Sequence, residues 1–303
     1  MHAEHRAHTS TTACRWPFPD HARRPYPSDT HWRILGSVLG AFRPPATDGC
    51  VPRLRPPHRK AHFEGLRLQM KIGLIQSRGF GDIIIALPLA KYLVDQGHHV
   101  AWPIHEEMFS SFSAAAPYVD FIPIKSHGVE SMYEVPLECL KSRGCERIIP
   151  LYNHLEHRPD IAQKKFVERF RFDEYKYATA GVPFREKWRL YIVRNREREE
   201  RLFRRVVSRD DFIVCHLQSG NGKASIDVQA IAGNREIVEI IAMTDNIFDW
   251  LAVIERASLR IMIDSCFANL TEQLQISGQK IFIRRSEALF TPVLLSDWMF
   301  AGY

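Results

Sequence analysis

Residues 70–100 read MKIGLIQSRGFGDIIIALPLAKYLVDQGHHV, and this stretch decides the fold class. Lys71–Gln76 is a short apolar run of strand type, and Ser77–Asp82 is a turn punctuated by two glycines. Ile83–Gln96 is mostly apolar and long enough for a buried helix, and His99–Ile104 reads as a second strand. Strand, helix and strand in this order predict a parallel βαβ unit.

The alternation continues outward. Met108–Ala116 reads as a short helix, Phe121–Ile124 as a third strand and residues 146–150 (ERIIP) as a fourth. Residues 194–205 (RNREREERLFRR) form a charge run in which Glu197/Arg201 and Glu200/Arg204 fall at i,i+4 in the favourable order. That predicts a solvated linker helix over 194–208. A second alternation follows: strand 212–217, strand 236–242, helix 247–257, strand 259–263, helix 269–274 and strand 280–284. The expectation is an α/β chain of two Rossmann-like parallel-sheet domains, residues 70–193 and 209–303, meeting at a cleft.

Composition narrows the partners. Of 303 residues, 45% are hydrophobic and 25% charged, which excludes wholesale disorder. No run approaches the roughly 18 uninterrupted apolar residues of a membrane span. The formal charge of +6 is carried by residues 1–69, which hold 10 Arg and 1 Lys against 5 acids, so the remainder is neutral and nucleic acid is not an expected partner. The same segment has 9 of the 18 Pro and a single isoleucine, Ile34. Such a chain buries too little apolar surface to offset its ordering entropy. Residues 1–69 are therefore expected to be a disordered or non-native leader, with the protein proper starting at Met70. The six cysteines show no zinc or redox spacing and fit a reduced, cytoplasmic protein.

Three loops carry chemistry. In the first, Gly79-x-Gly81 imitates a dinucleotide fingerprint, but the third glycine falls at Ile84, and Asp82 puts a negative charge where a pyrophosphate would sit. Neither NAD nor ATP is expected there. Asp82 reads either as the N-cap of the helix or as a general base at the carboxyl end of the first strand, with Ser77, Gly79 and Gly81 as its loop. In the second loop, Gln218–Lys223 (QSGNGK) is not a Walker A motif, because Leu217 and Ala224 occupy two required positions. Its glycines, Gly220 and Gly222, together with Lys223 still suit an anion; an ordinary exposed turn is the alternative. In the third, LAVIERASLRIMIDSCFANLTEQL (251–274), a strand ends at Asp264-Ser265, either of which can cap the next helix. Arg284 and Arg285 follow a strand and offer positive charge. Thr244-Asp245 reads as a cap of the helix after it. Glu272 reads as a surface salt-bridge partner that could also reach a ribose. His154 and His157 lack a third ligand, so no metal is expected.

The 70–100 stretch resembles the opening of glycosyltransferase family 9, the lipopolysaccharide heptosyltransferases, in Gly81, Asp82 and Pro88. The resemblance implies a glycosyltransferase-B fold and a bacterial, cytoplasmic enzyme of lipopolysaccharide biosynthesis with a possible peripheral hold on the inner membrane. It also implies a nucleotide-sugar donor, a carbohydrate acceptor, and inversion without a metal or other cofactor. Asp82 takes the place of the family's proposed base and Lys223 that of the lysine on the donor diphosphate. Asp264, Ser265 and Asn269 fall on the family's Asp-Thr-Gly-x-x-His segment, with Thr244 near the base pocket and Glu272 near the ribose. Cys266 and Asn269 depart from that pattern, replacing its glycine and its histidine. A nucleotide-sugar epimerase or hydrolase of the same fold, or an inactive glycan- or nucleotide-binding module, are the alternatives.

Overall fold

The computed structural model describes residues 69–219, 222–285 and 291–301. Of the expected leader only Gln69 lies within them, and Gly220 lies outside. The first half runs β1 (Lys71–Ile75), α1 (Phe80–Asp95), β2 (His99–His105), α2 (Glu106–Ala115), β3 (Asp120–Ile124), α3 (Glu134–Ser142) and β4 (Arg147–Pro150). Next come α4 (Lys164–Val167), α5 (Phe172–Ala180), a 3-10 turn at Phe184–Trp188 and α6 (Arg196–Val206). The second half runs β5 (Phe212–His216), a small hairpin of β6 (Gln218–Ser219) and β7 (Gly222–Lys223), α7 (Val228–Ala232) and β8 (Glu236–Glu239). It continues with a 3-10 turn at Ile247–Trp250, α8 (Leu251–Arg256), β9 (Leu259–Ile263), α9 (Cys266–Gln273), β10 (Gln279–Ile283) and β11 (Trp298–Ala301).

The first sheet is ordered β3-β2-β1-β4 and the second β11-β10-β9-β5-β8, with parallel pairing throughout both. Each order reverses once, between β1 and β4 in the first and between β5 and β9 in the second. In doubly wound sheets the crevice outside such a reversal is where ligands bind. The two α/β halves match the expectation. The hairpin, α3, α4, α5, α7 and β11 are additions that local periodicity did not reveal.

Helix α1 explains how the halves are joined. Residues Ile83–Ala90 are all buried, as expected of a helix that is apolar all round and packed on every side. It touches α5, α9 and the 3-10 turn at Phe184–Trp188. Pro88 within it has no N–H, so the carbonyl of Ile84 loses its helical partner. Gln273 of α9 repairs this, its Nε2 donating to Ile84 O at 3.2 Å and to Lys187 O at 3.1 Å. The Tyr177 hydroxyl of α5 donates to the next carbonyl, Ile85 O, at 2.8 Å. The carbonyls around Pro88 are thus held by side chains from two other helices.

The charge run is a helix, as its spacing implied, and both i,i+4 pairs form. It is docked rather than free, however. Leu202 and Glu199 are buried, Arg194 joins Glu199 to Glu255, and Arg198 holds Asp245 and Asp249. Among the described residues no helix is long and apolar enough to cross a membrane.

Candidate functional site

The loop after β1 is built before it reaches any substrate. Ser77 is fully buried, its hydroxyl donating to Ser131 O at 2.7 Å while its N–H donates to the Tyr152 hydroxyl at 3.1 Å. It fixes the loop and offers nothing to an acceptor. Arg78 is tied to His105 Nε2 at 2.9 Å and to Ser131 Oγ at 2.7 Å. Gly79 has φ +85°, a left-handed turn in which a side chain is strained. That turn starts the helix at Phe80, with Gly79 as its N-cap residue. Asp82 is therefore in the first turn and not the cap, which corrects the capping expectation; a carboxylate there is still favoured by the helix dipole. Its Oδ1 meets Lys176 Nζ of α5 at 2.9 Å.

Ser131 Oγ lies 3.1 Å from His105 Nε2, with Glu107 Oε1 4.0 Å from the other ring nitrogen, distances that invite comparison with a hydrolytic triad. The arrangement fails chemically. Ser131 is fully buried and gives its proton to Gly128 O at 2.6 Å, while Arg78 already donates to the imidazole. Burial and then the Arg78 charge lower the His105 pKa. This is scaffolding for the loop.

Across the crevice, β5 and β9 end side by side, and His216 Nδ1 is 2.9 Å from Ser265 Oγ. The ring packs edge-on against Phe267, with centroids 4.8 Å apart. Burial pushes the His216 pKa down to about 4, so the imidazole is neutral near pH 7. Ser265 is the N-cap residue of α9 without a side-chain cap bond, because its hydroxyl faces His216 instead. Asp264, 2% exposed, faces Arg285 Nη2 at 3.5 Å, and Arg285 Nη1 reaches Ser219 Oγ at 3.4 Å. Arg285 is thus at the crevice, whereas Arg284 lies over the Phe300 ring, 4.5 Å from its centroid.

Burial raises the Asp264 pKa to about 6; Arg285 opposes the shift, while Asp82 and Asp173 add to it. A folded-state value above the unfolded one near 3.9 means no penalty at low pH and a growing one as pH rises through 6. Asp264→Asn is expected to stabilise the fold by about 1–3 kcal/mol at pH 7.5 and to leave it unchanged near pH 4. Thermal melts at both pH values check this. A residue kept at such a cost has the character of a functional group.

The two sides meet. A Cβ on Gly81 would lie 3.4 Å from Asn269 Nδ2 and 3.6 Å from the Cys266 backbone N. The first turns of α1 and α9 therefore touch, with Asp82 on one and Asp264-Ser265 leading into the other. Asn269 is 3% exposed; its Nδ2 donates to Ser265 O at 3.1 Å, and its Oδ1 has no partner among the described residues. Lys223 stands exposed on β7 in the hairpin whose Ser219 touches Arg285, and Gly222 next to it has φ +152°.

Two expected donor contacts fall elsewhere. Glu272 is not on the surface: it is fully buried, and its oxygens accept from Trp188 Nε1, Leu295 N, Ser296 N and Trp298 Nε1. Buried in this way it does not reach a ribose, because α9 turns this face inward onto the 291–298 segment. Thr244 does not cap the following turn; Asn246 does, through Oδ1 and Phe248 N at 3.0 Å. Thr244 lines a groove with Arg198, Arg201 and Asp249, in which Arg198 pairs with Asp249 and Arg201 with Glu197. A neighbouring groove of about 490 Å³ beside α2 is also outside the crevice, and carboxylates neutralise its arginines. Lys176 and His216 are site residues that sequence reasoning missed. His216 had the signal of a polar residue at the end of an apolar strand, and Lys176 had none. Among the described residues no three His, Cys, Asp or Glu side chains cluster as metal ligands, and His157 pairs with Glu134.

No family model matches the sequence, and no curated protein matches it as a relative. Solved structures do match in fold. A glycosyl transferase family 9 protein of Veillonella parvula DSM 2008 superposes with a TM-score of 0.55 at 13% identity, covering 77% of this chain and 87% of that one. The ADP-heptose lipopolysaccharide heptosyltransferase II of E. coli gives 0.53 at 11% identity, covering 77% and 90%. The chain has the two-sheet architecture of these glycosyltransferases, as the resemblance implied.

Proposed function

We propose that the protein moves a sugar from a nucleotide-sugar donor to a carbohydrate acceptor with inversion at the anomeric carbon. The observation that carries the reading is the close approach of Gly81, beside Asp82, to the first turn of α9 at Cys266 and Asn269, next to where each strand order reverses. Asp82 takes the proton of the acceptor hydroxyl as its oxygen attacks the anomeric carbon. The sugar–phosphate bond breaks on the opposite face, and the nucleoside diphosphate leaves with the bonding electrons. The free N–H groups of α9, Lys223 and Arg285 stabilise that charge, and His216 supplies a neutral ring at the same edge. This division of labour needs no cofactor, so EDTA is expected to leave turnover unchanged. We assign a cytoplasmic place and a surface-glycan acceptor of lipopolysaccharide type on the same grounds of fold and resemblance.

Asn269 favours a second reading, because it brings no charge to the position where the resembling segment has histidine. Under that reading the protein binds a nucleotide or glycan without turnover.

The test is a thermal-shift screen of the full chain against ADP-, UDP-, GDP-, CDP- and dTDP-sugars, with ADP-heptose included and NAD and ATP as controls. A ligand at 100 times its Kd adds about 2.7 kcal/mol. Stabilisation by one nucleotide sugar, followed by release of its diphosphate in the presence of acceptor, supports the transferase. Stabilisation without turnover supports a nucleotide-binding module, and silence across the panel overturns the transferase and leaves a glycan as the bound partner of the second reading.

A further inference from the structure

We propose that Lys176 is the positioning residue of this site, anchoring one oxygen of Asp82 so that the other faces the acceptor hydroxyl. The inference rests on the transferase reading and deepens it.

Lys176 is 3% exposed; its ammonium donates to Gln76 Oε1 at 2.7 Å and to Leu151 O at 3.2 Å and forms an ion pair with Asp82 Oδ1 at 2.9 Å. Buried against three protein oxygens, it is not placed to contact a substrate. A buried lysine is costly unless paired, and an apolar residue of the same length would pack beside Leu151 without that cost. The charge therefore answers to the loop. Gln76, which accepts from Lys176, also donates to Arg78 O at 2.8 Å, so the lysine grips the loop both before its glycine turn and after it.

Asp82 completes the picture. Its side chain is 39% exposed, and its Oδ2 has no hydrogen-bond partner among the described residues. A Cβ on Gly79 would come within 2.7 Å of that Oδ2, so the loop glycine leaves room for it. One oxygen is thus fixed and the other open. The rest of α5 is immobilised by Tyr177 on Ile85 O and by Asp173, which is buried against Lys187 at 2.6 Å. Proton abstraction depends on such fixed placement, and a misplacement of about 1 Å can cost about 100-fold.

The experiment uses the full chain and the nucleotide sugar selected by the screen, and compares wild type, Lys176→Met, Lys176→Arg, Asp82→Asn and the double variant Lys176→Met/Asp82→Asn. A positioning role lowers kcat in Lys176→Met about tenfold while the donor KM stays within about twofold, and Lys176→Arg recovers most of kcat. Because the lysine acts through the carboxylate, Lys176→Met costs no further kcat in the Asp82→Asn background. Wild-type kcat in folded Lys176→Met, or a full additional loss in the Asp82→Asn background, overturns the proposal. If Lys176→Met does not fold, Lys176→Gln is read by the same two criteria. Normal turnover in Asp82→Asn sinks the base role itself.

Discussion

Asp82→Asn is expected to lower kcat by about 10²- to 10⁴-fold, the usual contribution of a positioned general base. Donor affinity should hardly change, because the substitution keeps the shape and removes only the ability to take a proton. Lys176 will then face a carboxamide in place of a carboxylate, and it keeps both of its hydrogen-bond acceptors, Gln76 Oε1 and Leu151 O. The fold should therefore survive, and a circular-dichroism melt within a few degrees of wild type checks that. The informative pair of measurements is kcat by diphosphate release and donor affinity by calorimetry. Loss of turnover with retained affinity fits a base. Equal loss of both would mean that Asp82 holds the donor, and no loss of either would remove Asp82 from the chemistry.

The largest effect on stability is expected at Glu272. Its carboxylate sits fully buried at the junction of α9, the 3-10 turn at Phe184–Trp188 and the segment leading into β11, and it satisfies two indole and two backbone N–H groups. Glu272→Ala orphans all four donors and opens a cavity, and each unsatisfied buried group costs about 1–3 kcal/mol. Allowing for water and relaxation, a loss of at least about 3 kcal/mol is expected, seen as a fall in Tm of roughly 6–12 °C. The pH dependence has a definite sign. Burial raises the Glu272 pKa, but the four donors outweigh it and the net shift is downward. A depressed folded-state value means that the stabilisation is complete above the unfolded value near 4.3 and is lost as pH falls through the folded one. The gap between wild type and Glu272→Ala should thus be full at pH 7 and narrow below about pH 4. A gap that does not narrow would show that packing, not charge, is what Glu272 contributes.

These two residues mark the limit of what local pattern conveys. Asp82 was legible because its signal is local: an apolar strand, a two-glycine turn and an apolar helix place residue 82 at a strand's carboxyl end whatever else the chain does. Glu272 was misread because its neighbours in sequence suggest an exposed helix face, and the two indoles that enclose it come from residues 188 and 298. The same holds for Thr244, where Asn246 two residues on took the capping role through a choice of turn geometry.

By itself, the amino-acid sequence determined most of the strands of both sheets and the helices after β1 and β9, the breaks at glycine, and the positions of Asp82, Asp264 and Lys223 just after strands or at their ends. Side-chain periodicity and turn chemistry act over a few residues and need no partner. Only the tertiary structure decided which polar groups are buried and what satisfies them. Pro88 vacates a carbonyl that Gln273 fills from 189 residues away, Lys176 supports a carboxylate on another helix, and His216 finds Ser265 across two strand ends. A buried polar group is tolerated only where a partner arrives in the right geometry, and that arrival is a property of the packed chain.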